Sequence, residues 1–230
     1  MNHVETDILL IPGPLKPFFK IFRRYYYPYV YHGESLELFS EEFFPKFVTK
    51  QDVVLEIGSK RGAGTKLLSE LAAYVYSFEP ESLSFRTARR YLRHQRNVTI
   101  YNFAISDHNG ESELVYDSGD AASASLKRIQ GANYDKTERV SLRVLDEFEF
   151  IHKPTTMIID CEGSEAEVLR GAKTMIPTLN TILIELHQLK GGPNTESQVM
   201  EELKQYSFAS LESKEIDTPQ KEQWVIALNK

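Results

Sequence analysis

The sequence predicts an α/β fold in which a mostly parallel sheet carries helices on both of its faces. Short apolar runs that end at glycine or at an acidic residue alternate with segments whose apolar residues recur every three or four positions. Strands that alternate with helices form parallel sheets, and right-handed crossovers then place helices on each face. We expect one domain over residues 35–230, preceded by an N-terminal extension over residues 1–34.

Composition limits the classes of protein to consider. The 230 residues are 41% hydrophobic and 26% charged, which is typical of a globular domain large enough to bury a core. A net charge of -6 argues against a dedicated nucleic-acid binder, which would usually be basic. The single cysteine, Cys161, excludes an intrachain disulfide framework and a Cys-rich zinc site. It favours a reducing compartment, so we expect a cytoplasmic protein.

The N-terminal extension offers no export signal, because Pro12, Gly13 and Pro14 end its first apolar run after residues 8–11. Residues 17–31 are rich in aromatic and basic side chains. Three interpretations remain open for this segment: peripheral contact with a membrane, a clamp on the substrate, or an arm whose rings are buried against the domain.

The first half of the domain alternates helices with buried strands. Residues 35–48 place Leu36, Phe39, Phe43 and Phe47 on one helical face. Three short apolar runs follow, and each is predicted to be a buried strand. Two segments whose apolar residues recur at helical spacing separate these runs. The predicted strands are residues 53–57, 74–78 and 98–105, and the predicted helices are residues 65–74 and 82–94.

The second half begins with an insert and then resumes the alternation. Residues 113–116 and 139–144 suggest a strand pair, and the small polar residues 117–124 between them predict a mobile loop. Core strands are predicted at residues 155–159 and 181–184. Capping-box spacings open two helices, one at Ser164 with Glu167 and one at Thr195 with Gln198, the second running to about Tyr206. Two final strands, at residues 208–211 and 224–228, are close enough to pair antiparallel.

Ligands of open parallel sheets bind beyond the carboxyl ends of the strands, near the point where the strand order reverses. The residues at these predicted ends are therefore the candidates for chemistry. They are Glu56 to Gly58, Glu79 and Pro80, Asn102 to Asp107, Asp160 to Gly163, and Glu185 to His187.

A glycine turn follows the first strand, with Gly58, Gly62 and Gly64 at its first, fifth and seventh positions. A dinucleotide fingerprint would place glycines at the first, third and sixth positions to seat a pyrophosphate. Glu56, two residues before Gly58, would repel a pyrophosphate and suits a cationic group such as an ammonium or a sulfonium. This spacing disfavours a nicotinamide-dependent oxidoreductase.

Glu79 ends the second strand about 20 residues beyond the glycine turn, where an acidic side chain accepts hydrogen bonds from ribose hydroxyls. Together, Glu56 and Glu79 favour a nucleoside with a positively charged amino-acid tail. S-adenosylmethionine fits that description.

Six segments between about residues 50 and 187 match, in order, the pattern of a known family. They are residues 54–62, 76–80, 102–107, 144–148, 158–172 and 184–187. The most specific block is Asp-x-Glu-Gly-x-Glu-x-x-Val-Leu-x-Gly-Ala, which begins at Asp160. With these segments the sequence resembles the FkbM family of class I S-adenosylmethionine-dependent methyltransferases.

The resemblance implies a seven-stranded Rossmann-like sheet whose last strand is antiparallel. It also implies that the cofactor is S-adenosylmethionine, with Glu79 at the ribose. The residues implied at the methionine part are Glu56, Gly58, Ser59 and Gly62, and those implied at the adenine are Asn102, Ala104 and Ile105. This chain departs from the family pattern at Glu56, where Asp is commoner, and at Lys60-Arg61, which adds positive charge that could reach an acidic substrate.

Methyl transfer to a hydroxyl requires a group that removes the proton. Asp160, Glu162 and His187 lie at the ends of neighbouring predicted strands, and His187 is attractive because its ordinary pKa is near neutrality. Each has an alternative role in holding the cofactor, the turn or the backbone. The same three side chains could hold a divalent metal, although no helical ligand pair supports one and we expect none. Cys161 is expected to pack in the core, since its acidic neighbours disfavour a thiolate.

The sequence therefore predicts an enzyme that methylates a hydroxyl oxygen of a small molecule, glycan or lipid-linked saccharide. The prediction that an oxygen is methylated rests only on the resemblance. The prediction of the cofactor rests on the residues themselves as well as on the resemblance. The alternatives are an NAD-dependent oxidoreductase and a non-catalytic binding module with a methyltransferase-like fold. We expect residues 17–34 and 117–132 to select the acceptor, because acceptor pockets are built from loops.

Overall fold

The computed structural model describes residues 43–117, 124–192, 194–216 and 222–229. The predicted extension over residues 1–34, with its aromatic segment 17–31, lies outside the described residues. So do residues 35–42 of the first predicted helix and residues 118–123 of the predicted mobile loop. Within the described residues no helix has the length and apolar character needed to span a bilayer.

The described residues form ten strands and four α-helices. The strands are β1 (Val53–Ile57), β2 (Tyr74–Phe78), β3 (Val98–Tyr101), β4 (Ala104–Ile105), β5 (Gly110–Tyr116), β6 (Lys136–Arg143), β7 (Thr156–Ile159), β8 (Thr181–Leu186), β9 (Ser210–Glu215) and β10 (Gln223–Leu228). The helices are α1 (Ala63–Leu71), α2 (Ser82–Tyr91), α3 (Glu165–Arg170) and α4 (Glu196–Leu203). Short 3₁₀ turns lie at Phe44–Lys46, Leu145–Glu147 and Ile176–Thr178.

Seven of these strands form one sheet in the order β3-β2-β1-β7-β8-β10-β9. The pairings of β1, β2, β3, β7 and β8 with one another are parallel, and β10 runs antiparallel to both of its neighbours. This confirms the predicted fold, including the closing antiparallel pair and the single reversed strand. The strand order reverses between β1 and β7, so the carboxyl ends of these two strands mark the expected ligand-binding edge.

The sheet is covered on both faces because successive residues of its strands point to opposite sides. In β1, Val54 belongs to one buried cluster, which also contains Leu68 of α1 and Trp224 of β10. Leu55 belongs to the other cluster, which contains residues of two helices on the opposite face. These are Val168 and Leu169 of α3, and Val199 and Leu203 of α4. Burial of each such aliphatic side chain stabilises the folded state by about 1.5–3 kcal/mol. The two layers therefore hold the strands of the sheet in place.

The single strand predicted over residues 98–105 is wrong, because the chain leaves the main sheet after Tyr101. Asn102 donates hydrogen bonds from Nδ2 to the carbonyl oxygens of Glu79 and Pro80, each at 2.9 Å. These bonds tie the end of β3 to the end of β2 and turn the backbone away. Ala104–Ile105 then pairs with β6 in a separate three-stranded sheet.

Neither predicted capping box forms, although both helices begin where the pattern placed them. Ser164 and Thr195 occupy the N-cap positions, and neither makes a side-chain capping bond. Asn194 Oδ1 accepts from the Glu196 amide instead, and the Thr195 hydroxyl accepts from the His187 amide at 3.1 Å. The hydroxyl is thus used in a long-range contact rather than a local one.

The insert forms the antiparallel pair that its alternation predicts, with Glu113 of β5 opposite Arg139 of β6. Several predicted boundaries were too long, since α1 ends at Leu71 and α2 at Tyr91. The described end of the first predicted helix is a 3₁₀ turn, Phe44–Lys46, with a proline in its first turn. Proline lacks the amide donor that a continuous α-helix would need there.

Candidate active site

A cleft opens at the carboxyl ends of β1, β2 and β7. The empty space between its lining residues is about 500 Å³, a volume that includes the part open to solvent. Six of the predicted site residues line it: Gly58, Glu79, Ala104, Ile105, Asp160 and Glu162. Phe78, Phe103, Leu114 and Leu126 add apolar walls.

Gly58 brings the loop after β1 into direct contact with the end of β7. Its φ of +98° lies in the left-handed region, and a Cβ atom at this position would lie 1.8 Å from the carbonyl oxygen of Asp160. Only glycine fits this approach. The backbone of the loop therefore forms one wall of the cleft, and Asp160 lies across from it.

Glu79 extends its carboxylate beneath the same loop. Oε2 accepts from the Lys60 amide at 2.7 Å, and Oε1 accepts from the Glu81 amide at 2.8 Å. The side chain is 4% exposed, and this burial raises its pKa to about 8, against the lowering effect of the two backbone hydrogen bonds. Each oxygen keeps a second lone pair for a hydroxyl donor.

Glu56, Ser59, Gly62 and Asn102 are not among the residues that line the cleft. The Glu56 carboxylate lies behind the loop and accepts from the Thr65 hydroxyl of α1 at 2.5 Å. Burial is the main cause that raises its pKa to about 7. Gly62 caps the start of α1, and Asn102 supports the end of β2 as described above. Glu56, Gly62 and Asn102 thus support the backbone around the cleft, and direct contacts of these residues and of Ser59 with the cofactor stay predictions.

Four charged side chains meet across the cleft from Glu79. Lys60 Nζ lies 3.1 Å from Oδ2 of Asp160 and 3.3 Å from Oε1 of Glu162. His187 Nε2 lies 3.6 Å from Oδ1 of Asp160 and 3.4 Å from Oε2 of Glu162. Each carboxylate therefore has one oxygen toward the ammonium and the other toward the imidazole. We call Lys60, Asp160, Glu162 and His187 the charge square.

The charge square gives Lys60 a different role from the one expected. The sequence suggested that its charge could reach an acidic substrate, whereas the ammonium turns inward to two acids of the same chain. These acids raise the pKa of Lys60 well above its ordinary value, although burial opposes this. Sequence spacing gave no sign of this contact, because it depends on the pairing of β1 with β7.

Glu165, which the sequence reasoning did not single out, completes the site behind His187. It is fully buried at the start of α3, and its Oε1 accepts from the Gly163 amide and from His187 Nδ1, each at 2.8 Å. Burial alone would lower the pKa of His187, but this hydrogen bond and the surrounding carboxylates raise it to about 10. The acids around His187 therefore favour its protonated form. The only available signal was the second Glu of the Asp-x-Glu-Gly-x-Glu block.

Asp160, Glu185 and His187 can bring one ligand atom each within 4.8 Å of one another. The ammonium of Lys60 already faces two of these side chains, Asp160 at 3.1 Å and Glu185. We assign no metal ligand to this group.

Cys161 lies between the two acids of the charge square and packs against the main hydrophobic cluster. Burial and the neighbouring acid Glu165 raise the pKa of its thiol well above the ordinary value, which leaves it unsuited to act as a nucleophile.

The segment that begins at residue 124 also contacts the site. The Ser125 hydroxyl donates to the carbonyl oxygen of Glu162 at 2.5 Å, and Ala124 and Leu126 line the cleft.

Comparison with known proteins agrees with this arrangement. The family model for the methyltransferase FkbM domain matches residues 56–209. The hexuronic acid methyltransferase AglP of Haloferax volcanii is 24% identical over 139 residues, which cover 60% of this chain and 57% of AglP. The match thus spans little more than half of that relative.

Two solved structures show the same fold. The methyltransferase FkbM from Methylobacillus flagellatus superposes with a TM-score of 0.56 at 15% identity, covering 82% of this chain and 47% of that one. A Streptococcus mutans protein solved in complex with SAH superposes with a TM-score of 0.54 at 14% identity, covering 85% and 97%. Because the family model covers both the glycine turn and the charge square, this chain belongs to the FkbM methyltransferase family.

Proposed function

We propose that this protein is an S-adenosylmethionine-dependent methyltransferase that methylates a hydroxyl oxygen of a small molecule or saccharide. One observation carries the proposal: Gly58 and Glu79, the residues predicted to bind the cofactor, line the same cleft as Asp160 and Glu162, the candidate proton acceptors. A binding site for an adenosine-linked cation and a site for removing a proton thus share one cleft. The family membership supports methyl transfer over the oxidoreductase alternative.

The residues of the cleft fit the cofactor. Glu79 would hold the ribose hydroxyls, the backbone at Gly58 would contact the methionine part, and Ala104 and Ile105 with Phe103 would flank the adenine. Oδ1 of Asp160 is buried toward His187, which leaves Oδ2, beside Lys60, as the oxygen nearer to the cleft. When bound, S-adenosylmethionine supplies an electrophilic methyl group carried on a sulfonium sulfur.

The acids of the charge square would act on the acceptor. A hydroxyl that enters the cleft beside Asp160 and Glu162 would lose its proton to one of these carboxylates as its oxygen is methylated. Lys60 Nζ and His187 Nε2 each lie within 3.6 Å of both acids and fix the positions of the two carboxylates. Alignment of the two substrates by the rigid strand ends would supply much of the remaining acceleration.

A saccharide that contains a hexuronic acid is the first acceptor to test, because AglP is named as a hexuronic acid methyltransferase. The segment 124–132 supports a role in selecting this acceptor, since its first residues line the cleft. The predicted contribution of residues 17–34 lies outside the described residues.

Calorimetry followed by a methyl-transfer assay tests the proposal. We expect saturable binding of S-adenosylmethionine and no binding of NADH, followed by transfer of labelled methyl to a hexuronic acid saccharide. A matched saccharide whose free hydroxyls are blocked should accept no label. Failure to bind S-adenosylmethionine would contradict the whole proposal. Binding without transfer to any hydroxyl acceptor would instead support a non-catalytic binding module.

Two asparagines at opposite ends of β3 provide a matched test of the cofactor end of the cleft. Asn102 donates to Glu79 O and Pro80 O, and Asn97 donates to Ser69 O and Ala73 O at 2.9 and 3.4 Å. We expect Asn102→Ala and Asn97→Ala each to lower the free energy of unfolding by about 1 kcal/mol. Only Asn102→Ala should weaken S-adenosylmethionine binding, by about tenfold as measured by calorimetry. If the two variants bound S-adenosylmethionine with equal affinity, Asn102 would have no role in the cofactor site.

A further inference from the structure

The charge square is asymmetric in its access to the cleft. Asp160, Glu162 and Lys60 line the cleft, whereas His187 does not. His187 approaches the two carboxylates from behind, with its Nε2 at 3.4–3.6 Å from one oxygen of each. A group in that position cannot contact an acceptor without passing the acids, so its chemistry has to act through them.

His187 is held from both its backbone and its ring. Its amide donates to the Thr195 hydroxyl at 3.1 Å, and its carbonyl oxygen accepts from the Thr195 amide at 3.0 Å. Its Nδ1 bonds to Oε1 of the fully buried Glu165. With Nδ1 held by Glu165, Nε2 faces Asp160 and Glu162 and, at 3.8 Å, Oε1 of Glu185.

We propose that Glu165 and His187 are a pair of positioning residues, in which buried Glu165 fixes the imidazole through Nδ1 so that Nε2 holds the carboxylates of Asp160 and Glu162 in place at the cleft. This assignment rests on the proposed methyl transfer and changes one role within it. The proton acceptor is a carboxylate of the charge square, and His187, which the sequence favoured as the base, supports it from behind.

The charge balance around the pair agrees with this assignment. Two neighbouring carboxylates without cations would share a proton, because like charges disfavour joint ionisation. Lys60 supplies one cation from the β1 loop, and His187 supplies the other from the end of β8. The remaining charged groups that face His187 are acids, namely Glu162, Glu165, Glu185, Asp160 and Glu222. None of these acids can replace the charge of the imidazolium.

Glu165→Gln tests the pair while keeping the size of the side chain. We expect kcat for methyl transfer to fall at least about tenfold, with the KM for acceptor and the Kd for S-adenosylmethionine unchanged within twofold. In ring ¹H–¹⁵N NMR spectra, His187 of the unmodified protein should stay protonated through pH 8, and in Glu165→Gln it should lose its proton at lower pH. His187→Gln should lower kcat to a similar extent, and the double variant should be no worse than either single one.

Glu202→Gln is the matched control. Glu202 is a mostly buried acid on α4 that accepts from Arg170 and Gln205, so its variant should leave kcat and the His187 titration unchanged. Unchanged kcat in His187→Gln would overturn the proposal, and this variant decides the matter if Glu165→Gln does not fold. An unchanged His187 titration in Glu165→Gln would overturn it as well. Absence of S-adenosylmethionine binding in the unmodified protein would instead count against the proposed function, which keeps the two failures distinct.

Discussion

Gly58→Ala is expected to remove most of the affinity for S-adenosylmethionine and to destabilise the protein far more than Gly131→Ala does. The new Cβ would lie 1.8 Å from the carbonyl oxygen of Asp160 and 2.8 Å from its carbonyl carbon. These are backbone atoms of the chain just after β7, so no side-chain rotation relieves the clash. The loop after β1 and the end of β7 must separate, which moves the two walls of the cleft together with the Asp160 carboxylate.

We expect the free energy of unfolding to fall by about 4 kcal/mol or more, a size reserved for severe disruption of packing. Affinity for S-adenosylmethionine should fall by at least about 100-fold, a loss of about 2.7 kcal/mol, because the displaced loop forms part of the proposed binding site. Urea unfolding measures the first quantity. Calorimetry at a temperature where circular dichroism shows the variant to be folded measures the second.

Gly131→Ala is the control for the backbone contribution. Gly131 also has a positive φ, +84°, but a Cβ there meets no atom within 4 Å. Its substitution should cost about 1 kcal/mol from conformational strain alone. If Gly58→Ala lowered the free energy of unfolding no more than Gly131→Ala does and the variant still bound the cofactor, the close contact between the β1 loop and the end of β7 would not be needed for the binding site.

The contrast between these glycines shows what sequence could and could not predict. The turn after β1 was predictable, because an apolar run that ends in Glu-Ile-Gly before a helical pattern has few alternatives. The identity of the atom that requires Gly58 was not, since Asp160 lies about a hundred residues away along the chain. That contact exists only because β1 and β7 pair in parallel with Ile57 beside Ile159.

The same reason separates the predicted and unpredicted parts of the charge square. Asp160, Glu162 and His187 were found because they follow apolar runs, and strand ends gather at one edge of a parallel sheet. Glu165 was not found, because an acid in the first turn of a helix is ordinarily a local feature that favours the helix dipole. Only the structure brings its carboxylate to His187. Likewise, the end of β3 depends on bonds from Asn102 to another strand, and period-two alternation carries no information about them.

The ionisation of Glu79 links cofactor binding to pH. Burial raises its pKa in the folded protein to about 8 from an ordinary value near 4.5. Between these two values the folded chain holds a proton that the unfolded chain releases, so the free energy of unfolding should fall as pH rises from about 4.5 to about 8. Hydroxyl donors prefer the ionised carboxylate. Affinity for S-adenosylmethionine should therefore rise with pH through the same region, by about tenfold between pH 7 and pH 9 from this group alone.

Glu79→Gln separates this contribution from other groups that titrate nearby, including Glu56, with its pKa of about 7, and the amino group of the ligand itself. The amide nitrogen of glutamine must face the amide of either Lys60 or Glu81, so one donor loses its acceptor. We expect affinity to fall about 10- to 100-fold at pH 8. The ratio of the two proteins' dissociation constants should widen as pH rises, because only the unmodified protein gains the carboxylate.

Glu81→Gln is the matched control, because Glu81 is also buried and also accepts two backbone amides, those of Leu83 and Ser84. It caps α2 and does not line the cleft. Its variant should lose stability and keep the rise of affinity with pH, shifted to lower pH because the Glu81 charge is one of the causes that raise the pKa of Glu79. Calorimetry at pH 6, 7, 8 and 9 on all three proteins measures the ratio directly. A ratio for Glu79→Gln that stays constant across this range would mean that the Glu79 carboxylate does not contact the cofactor.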